Sequence, residues 1–130
     1  LKLSTYLRKK YKIKSNFILG HSDIAPDRKK DPGEKFPWKY LSKNKIGYWH
    51  NLNEKKLFKK RNQLVDKQEK KKFIKNLYKI GYSKNILFNK YKYSKFLITA
   101  FQRRFRQELV NGTIDQECLF ISNNLAKNLK

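Results

Sequence analysis

The chain has 130 residues, with 33 Lys and Arg against 10 Asp and Glu, a net charge of +23. That length suits one ordinary domain or two small ones, and a 38% apolar content with 2 Trp, 8 Tyr and 9 Phe excludes wholesale disorder. No apolar run approaches the roughly 20 residues of a membrane span, and a single cysteine, Cys118, excludes an intrachain disulfide and a multi-cysteine zinc cage. The charge makes nucleic acid the first partner to weigh. Lysines outnumber arginines 27 to six, however, whereas base readout and bidentate phosphate recognition favour Arg. Nucleic-acid binding, centred on the lysine-rich 53–72 segment, is therefore a lesser reading.

In chain order, Leu1, Leu3, Leu7 and Tyr11 recur at helical spacing and predict a surface helix over residues 1 to about 12. The run NFILG, 16–20, is short, apolar and closed by glycine, and predicts a buried strand that delivers His21 at its end. Residues 22–37 hold all three prolines and a DPG turn, and predict a loop. A short helix and turn follow, with Trp38, Tyr40, Leu41, Trp49 and His50 expected to pack inward. Residues 53–80 look helical, but charge dominates 53–72, which reads as a solvated connection with sparse apolar positions (Leu57, Phe58, Leu64, Val65). The pattern then sharpens. Phe73, Ile74, Leu77, Tyr78 and Ile80 share one helical face, Gly81 is placed to end it, and a second helix is expected over about 93–108. Asn111-Gly112 marks a turn, and Asp115 is placed to cap a last helix through Leu129. The expected core of this unit is Phe73, Leu77, Leu97, Phe101, Phe105, Ile114 and Leu119, with Cys118 a buried, inert thiol.

The chemistry is concentrated in GHSDIAPDRKKDPGEKFPW, residues 20–38, which holds one of two histidines and three of five aspartates. His21 and Asp31 are ten apart, so only a folded loop can bring them together. Pro26 and Pro32 restrict the residues before them to extended conformations, and Gly33 allows the chain to reverse. Imidazole nitrogen and carboxylate oxygen are both good zinc ligands, and a catalytic zinc takes three protein ligands plus water. On spacing alone, a hydrogen-bonded turn is the commoner reading and metal binding the lesser one. Lys29, in a chain where one residue in five is lysine, is ordinarily a solvated charge.

The string FILGHSDIAPDRKKDPGEKFPW resembles the second half of the zinc-dependent N-acetylmuramoyl-L-alanine amidases of bacteria, relatives of peptidoglycan-recognition proteins and of phage T7 lysozyme. The segments LITAFQRRFR and NGTIDQEC are similar to the helical peptidoglycan-binding domain that follows the catalytic domain in some members. The resemblance implies an α+β architecture: the carboxy-terminal part of a mixed-sheet amidase domain (1–52), a charged helical linker (53–72) and a three-helix peptidoglycan-binding-like domain (73–130). It implies His21 and Asp31 as Zn2+ ligands and Lys29 as the catalytic group facing the developing oxyanion. Asp23 is expected to brace the loop or orient His21, and Arg28 to pair with Asp23 or with substrate carboxylates. The implied reaction cleaves the amide between N-acetylmuramic acid and L-alanine of the stem peptide. The implied partners are peptidoglycan or muropeptides, in the cell envelope or periplasm, with the cytoplasm as the alternative. In the family a further zinc histidine and the catalytic glutamate precede the first helix, and residues 1–20 contain no His, Asp or Glu. The chain is therefore expected to be inactive alone, either as the carboxy-terminal piece of a longer or split protein, with a separately encoded amino-terminal half among the partners to weigh, or as a decayed remnant. A non-catalytic peptidoglycan-binding protein is the alternative.

Overall fold

A computed structural model describes residues 1–84 and 90–129, with the backbone alone at 90–92. Among the described residues the secondary structure is helical throughout. In chain order come α1 (Lys2–Lys10), a 3-10 turn (Ser15–Phe17), α2 (His21–Ile24), α3 (Trp38–Lys43), α4 (Glu54–Phe58), α5 (Lys67–Ile80), α6 (Lys90–Phe105) and α7 (Gln116–Lys127). The expected α+β class, with its mixed sheet, is overturned, because no strand occurs among these residues. The reason lies in pairing. Ile18 has extended dihedrals (φ −96°, ψ 104°), as its apolar run predicts. A strand also needs a neighbour for its backbone groups, and here the Ile18 carbonyl accepts instead from Arg104 Nη2 at 3.1 Å.

The core lies in the second half of the chain. Phe73 and Leu77 of α5, Leu97, Phe101 and Phe105 of α6, and Cys118, Ile121 and Leu125 of α7 recur three or four residues apart, so each helix turns one apolar stripe inward. Helix α5 packs chiefly on α7, and α6 reaches α5, α2 and α3. Phe73 meets Phe101 edge to face, with centroids 5.0 Å apart. Of the expected core residues, Ile114 is only partly buried. Tyr40, expected inside, is 58% exposed, while Trp38 on the same short helix is 4% exposed.

The continuous helix suggested over 53–80 is broken between α4 and α5. Asn62 adopts a positive φ of 61° and donates its amide to Asp115 Oδ2 at 3.0 Å. Arg61 grips Glu117 with two hydrogen bonds of 2.7 and 2.8 Å, so long-range bonds replace the helical ones. Helix α5 restarts with a reciprocal cap, Glu69 N to Asp66 Oδ1 at 2.8 Å and Asp66 N to Glu69 Oε2 at 2.9 Å. It ends at Gly81, whose φ of 125° few other residues tolerate. Asp115 caps α7 as expected, accepting from Cys118 N at 2.9 Å.

Candidate metal centre

The loop of residues 20–38 closes on itself at its base. The Ser22 amide, in the first turn of α2, donates to the Asp31 carbonyl at 2.9 Å, which sets Asp31 beside the turn carrying His21. The approach is close. A Cβ built on Gly20 would lie 2.4 Å from Pro32 Cδ, so only glycine fits. Within the loop, the Arg28 and Lys29 amides both donate to the Ala25 carbonyl, at 3.0 and 2.9 Å.

This frame brings His21 Nδ1 to 2.5 Å from Asp31 Oδ2, both side chains being well exposed. The hydrogen bond from His21 holds the Asp31 carboxyl below the usual carboxylate range, and the Lys29 charge acts in the same direction. Lys29 and Arg28 are both solvent-exposed, and Arg28 lies 3.6 Å from Asp27 rather than on Asp23. The pair opens on a cleft of about 320 Å³ whose apolar walls include Leu19, Pro32, Phe36 and Trp38. A cleft with an imidazole–carboxylate pair at one side and apolar walls is suited to a ligand of mixed character.

Asp23 does not touch the His21 imidazole. It is 6% exposed and turned toward the core, where Oδ2 accepts from the Gly20 amide at 2.9 Å and Oδ1 from the Tyr82 hydroxyl at 2.8 Å. Arg104 Nη1 of α6 completes the set with an ion pair to Oδ2. The Arg104 guanidinium also lies 3.9 Å from the centroid of the Trp38 ring. One buried cluster thus joins α2, the Trp38 helix and α6.

The donor set at His21 and Asp31 suits zinc. An imidazole nitrogen and a carboxylate oxygen converge at hydrogen-bond distance, 2.5 Å; two ligands of one tetrahedral zinc at bonds of about 2.0–2.2 Å lie roughly 3.4 Å apart, so the pair would have to open by roughly 0.9 Å to hold the ion. No group of three or more His, Cys, Asp or Glu side chains placed to hold a metal occurs among the described residues. His50 lies apart from this pair. It is buried, stacks on Trp49 at 5.3 Å, and accepts on Nδ1 from the Leu52 amide at 3.3 Å. Desolvation lowers its pKa to about 4, so it is a neutral packed group.

No protein-family profile matches the sequence. The N-acetylmuramoyl-L-alanine amidase AmiD of Escherichia coli (strain K12), however, is 31% identical over 116 residues, 89% of this chain. The chain is homologous to AmiD. Its fold also matches solved structures. AmiD from E. coli, in complex with anhydro-N-acetylmuramic acid-L-Ala-D-gamma-Glu-L-Lys, superposes over 97% of this chain at TM-score 0.81 and 30% identity. AmpDh3 from Pseudomonas aeruginosa matches over 97% at TM-score 0.78 and 29% identity, and its complex with anhydromuramic pentapeptide at 0.77 and 28%. The chain spans less than half of the AmiD sequence (42%) and about half of the matched structures (49–50%).

Sequence reasoning about this AmiD homologue missed Arg104, Tyr82 and Arg106. A signal for the arginines was present: in a chain with 27 lysines and six arginines, three arginines fall within residues 103–106. Arginine is the residue suited to buried ion pairs. Arg104 is 3% and Arg106 1% exposed, the latter paired with Asp115.

Proposed function

We propose that this chain supplies part of the metal site, and the helical unit behind it, of a zinc-dependent N-acetylmuramoyl-L-alanine amidase acting in peptidoglycan turnover. One observation carries the reading: a loop that folds His21 and Asp31 onto one point, in a chain homologous to AmiD. The substrate class is a muropeptide or peptidoglycan strand, cleaved between N-acetylmuramic acid and L-alanine, as the ligands of the matched AmiD and AmpDh3 complexes suggest. Such a substrate puts the work of the enzyme at the cell envelope. The division into 1–52, 53–72 and 73–130 is part of the proposal, although residues 85–89 and 130 lie outside those described.

His21 and Asp31 would hold the zinc. The metal, once bound, would polarise the scissile carbonyl and acidify a water toward neutrality. The Asp23–Arg104–Tyr82 cluster fixes the turn that carries His21, so the imidazole is presented without reordering. Lys29, whose charge already reaches Asp31, stands ready to face negative charge that develops at the scissile carbonyl. Leu19 and Phe36 offer apolar surface to the sugar and the lactyl group.

Zinc titration by calorimetry tests the assignment. The 130-residue chain should bind one zinc weakly, as two ligands in place of three imply, and His21→Ala or Asp31→Ala should weaken binding at least tenfold. Binding unchanged in both variants, or no zinc uptake at all, would refute it and leave a non-catalytic peptidoglycan-binding role. Release of stem peptide by the chain alone would contradict the shortage of ligands.

A further inference from the structure

A groove of about 670 Å³ runs between α5, α6 and the turn at Gly112, and it shares no residue with the cleft at His21 and Asp31. Helix α5 builds it from a second face. Phe73 and Leu77 are turned into the core. Ile74, Lys75 and Tyr78 follow Lys71 at spacings of three, four and seven, which puts all four on one outer flank, with Lys70 a turn before Ile74. The floor is aliphatic: Ile98 is 8% exposed, and Val65, Ile74 and Ile114 are partly buried against the core. At the lip, Leu64 is 91% exposed, the most exposed of the large hydrophobic residues described. The rim is cationic. Lys70, Lys71 and Lys75 line it and are exposed, and no Asp or Glu among the described residues lines the groove. The stretch 55–75 carries ten Lys and Arg against two acids. Both acids are engaged elsewhere: Asp66 and Glu69 close the cap of α5, and Glu69 also accepts from Gln116 Nε2 at 3.0 Å. Two further lysines stand close by. Lys84 Nζ lies 5.2 Å from the centroid of the Tyr78 ring, and Lys95 is the side chain a Cβ on Gly112 would meet, at 3.4 Å.

Charge and shape together choose the occupant. An almost wholly exposed leucine beside lysines, above an aliphatic floor, suits a phase that presents anionic headgroups over hydrocarbon. Lysine stems lie along apolar surface while their ammonium groups stay at the level of the headgroups. Single-stranded nucleic acid would instead need aromatic faces on which to stack, and the one aromatic residue lining the groove, Tyr78, is already covered by Lys84. We propose that the groove between α5 and α6 seats the chain on the surface of a bilayer that contains anionic lipid. Lys70, Lys71 and Lys75 meet the headgroup phosphates, and Leu64 enters the boundary between headgroups and acyl chains. This contact uses neither metal nor muropeptide, so it stands independently of the proposed amidase function.

Vesicle binding by the 130-residue chain tests it. The chain should sediment with vesicles of equal parts phosphatidylglycerol and phosphatidylcholine at physiological salt, and should stay in solution with phosphatidylcholine alone. The variant Lys70→Gln/Lys71→Gln/Lys75→Gln should bind the mixed vesicles roughly a hundredfold more weakly, as three lysines held at an anionic surface imply. A control of equal charge on α1, Lys2→Gln/Lys9→Gln/Lys10→Gln, should lose less than about fivefold, because salt screens charges that do not touch the surface. Leu64→Cys, labelled with an environment-sensitive fluorophore, reads the insertion, since the native Cys118 is buried. Its emission should shift to the blue on the mixed vesicles and stay unshifted with a single-stranded oligonucleotide. Equal losses in the two triple variants would reduce the binding to net charge and overturn the proposal. So would an unshifted fluorophore on vesicle-bound protein, or an equal shift with the oligonucleotide, which would make nucleic acid the occupant. Failure to bind the mixed vesicles at all overturns it too, and leaves the groove to an acidic protein segment.

Discussion

Removing the Asp23 carboxylate is the most demanding test of how the site is held. Asp23→Ala leaves the Arg104 guanidinium, 3% exposed, without its counter-ion, and strips the acceptor from the Gly20 amide and the buried Tyr82 hydroxyl. Breaking a buried ion pair by deleting one partner typically costs about 3–5 kcal/mol, because the remaining charge is stranded away from water. A domain of this size has a total stability of roughly 5–15 kcal/mol, so the variant should sit near the edge of folding. Its thermal midpoint should fall by roughly 10–20 °C. Urea unfolding followed by circular dichroism measures the loss. The double variant Asp23→Ala/Arg104→Met, which replaces the stranded charge by an apolar side chain of similar length, should recover much of it. A loss below about 1 kcal/mol for Asp23→Ala, or no recovery in the double variant, would refute the view that this pair fastens the loop to α6.

His50 predicts a pH dependence. Burial lowers its pKa from 6.5 to about 4, so the unfolded chain binds the proton more readily between those values. Its contribution is fully present above pH 6.5 and is lost as pH falls toward 4, an effect on the order of 2–3 kcal/mol. His50→Gln should flatten that limb of the stability curve, and an imidazole proton resonance titrating near 6.5 would refute the assignment. Gly20→Ala forces Pro32 away from its 2.4 Å approach to the new Cβ while leaving φ at an ordinary −91°, so its effect is steric. It should cost about 1–3 kcal/mol and weaken zinc binding by displacing Asp31. Calorimetry and unfolding showing neither change would mean that the loop adapts freely.

Much of the second half of the molecule was legible from local pattern. Stripes such as Phe73/Leu77 and Leu97/Phe101/Phe105, the cap at Asp115 and the stop at Gly81 are encoded within one or two helical turns, and each reappears where the pattern puts it. The concentration of His21, Asp31 and all three prolines likewise singled out the loop in which the structure brings His21 and Asp31 to hydrogen-bond distance. What escaped depends on groups far apart in sequence. Residues 16–20 have the composition of a strand, but a strand is completed only by a neighbour, and here Arg104, 86 residues from Ile18, takes the carbonyl instead. The break between α4 and α5 comes from Asp115 and Glu117 reaching back 53 and 56 residues to Asn62 and Arg61. Asp23 reads as a loop residue and became a buried anchor only because α6 carries Arg104 to it across 81 residues. Even α1, whose amphipathic spacing is plain, turned its polar side inward. Periodicity defines a face, while the direction it points depends on what lies beside it.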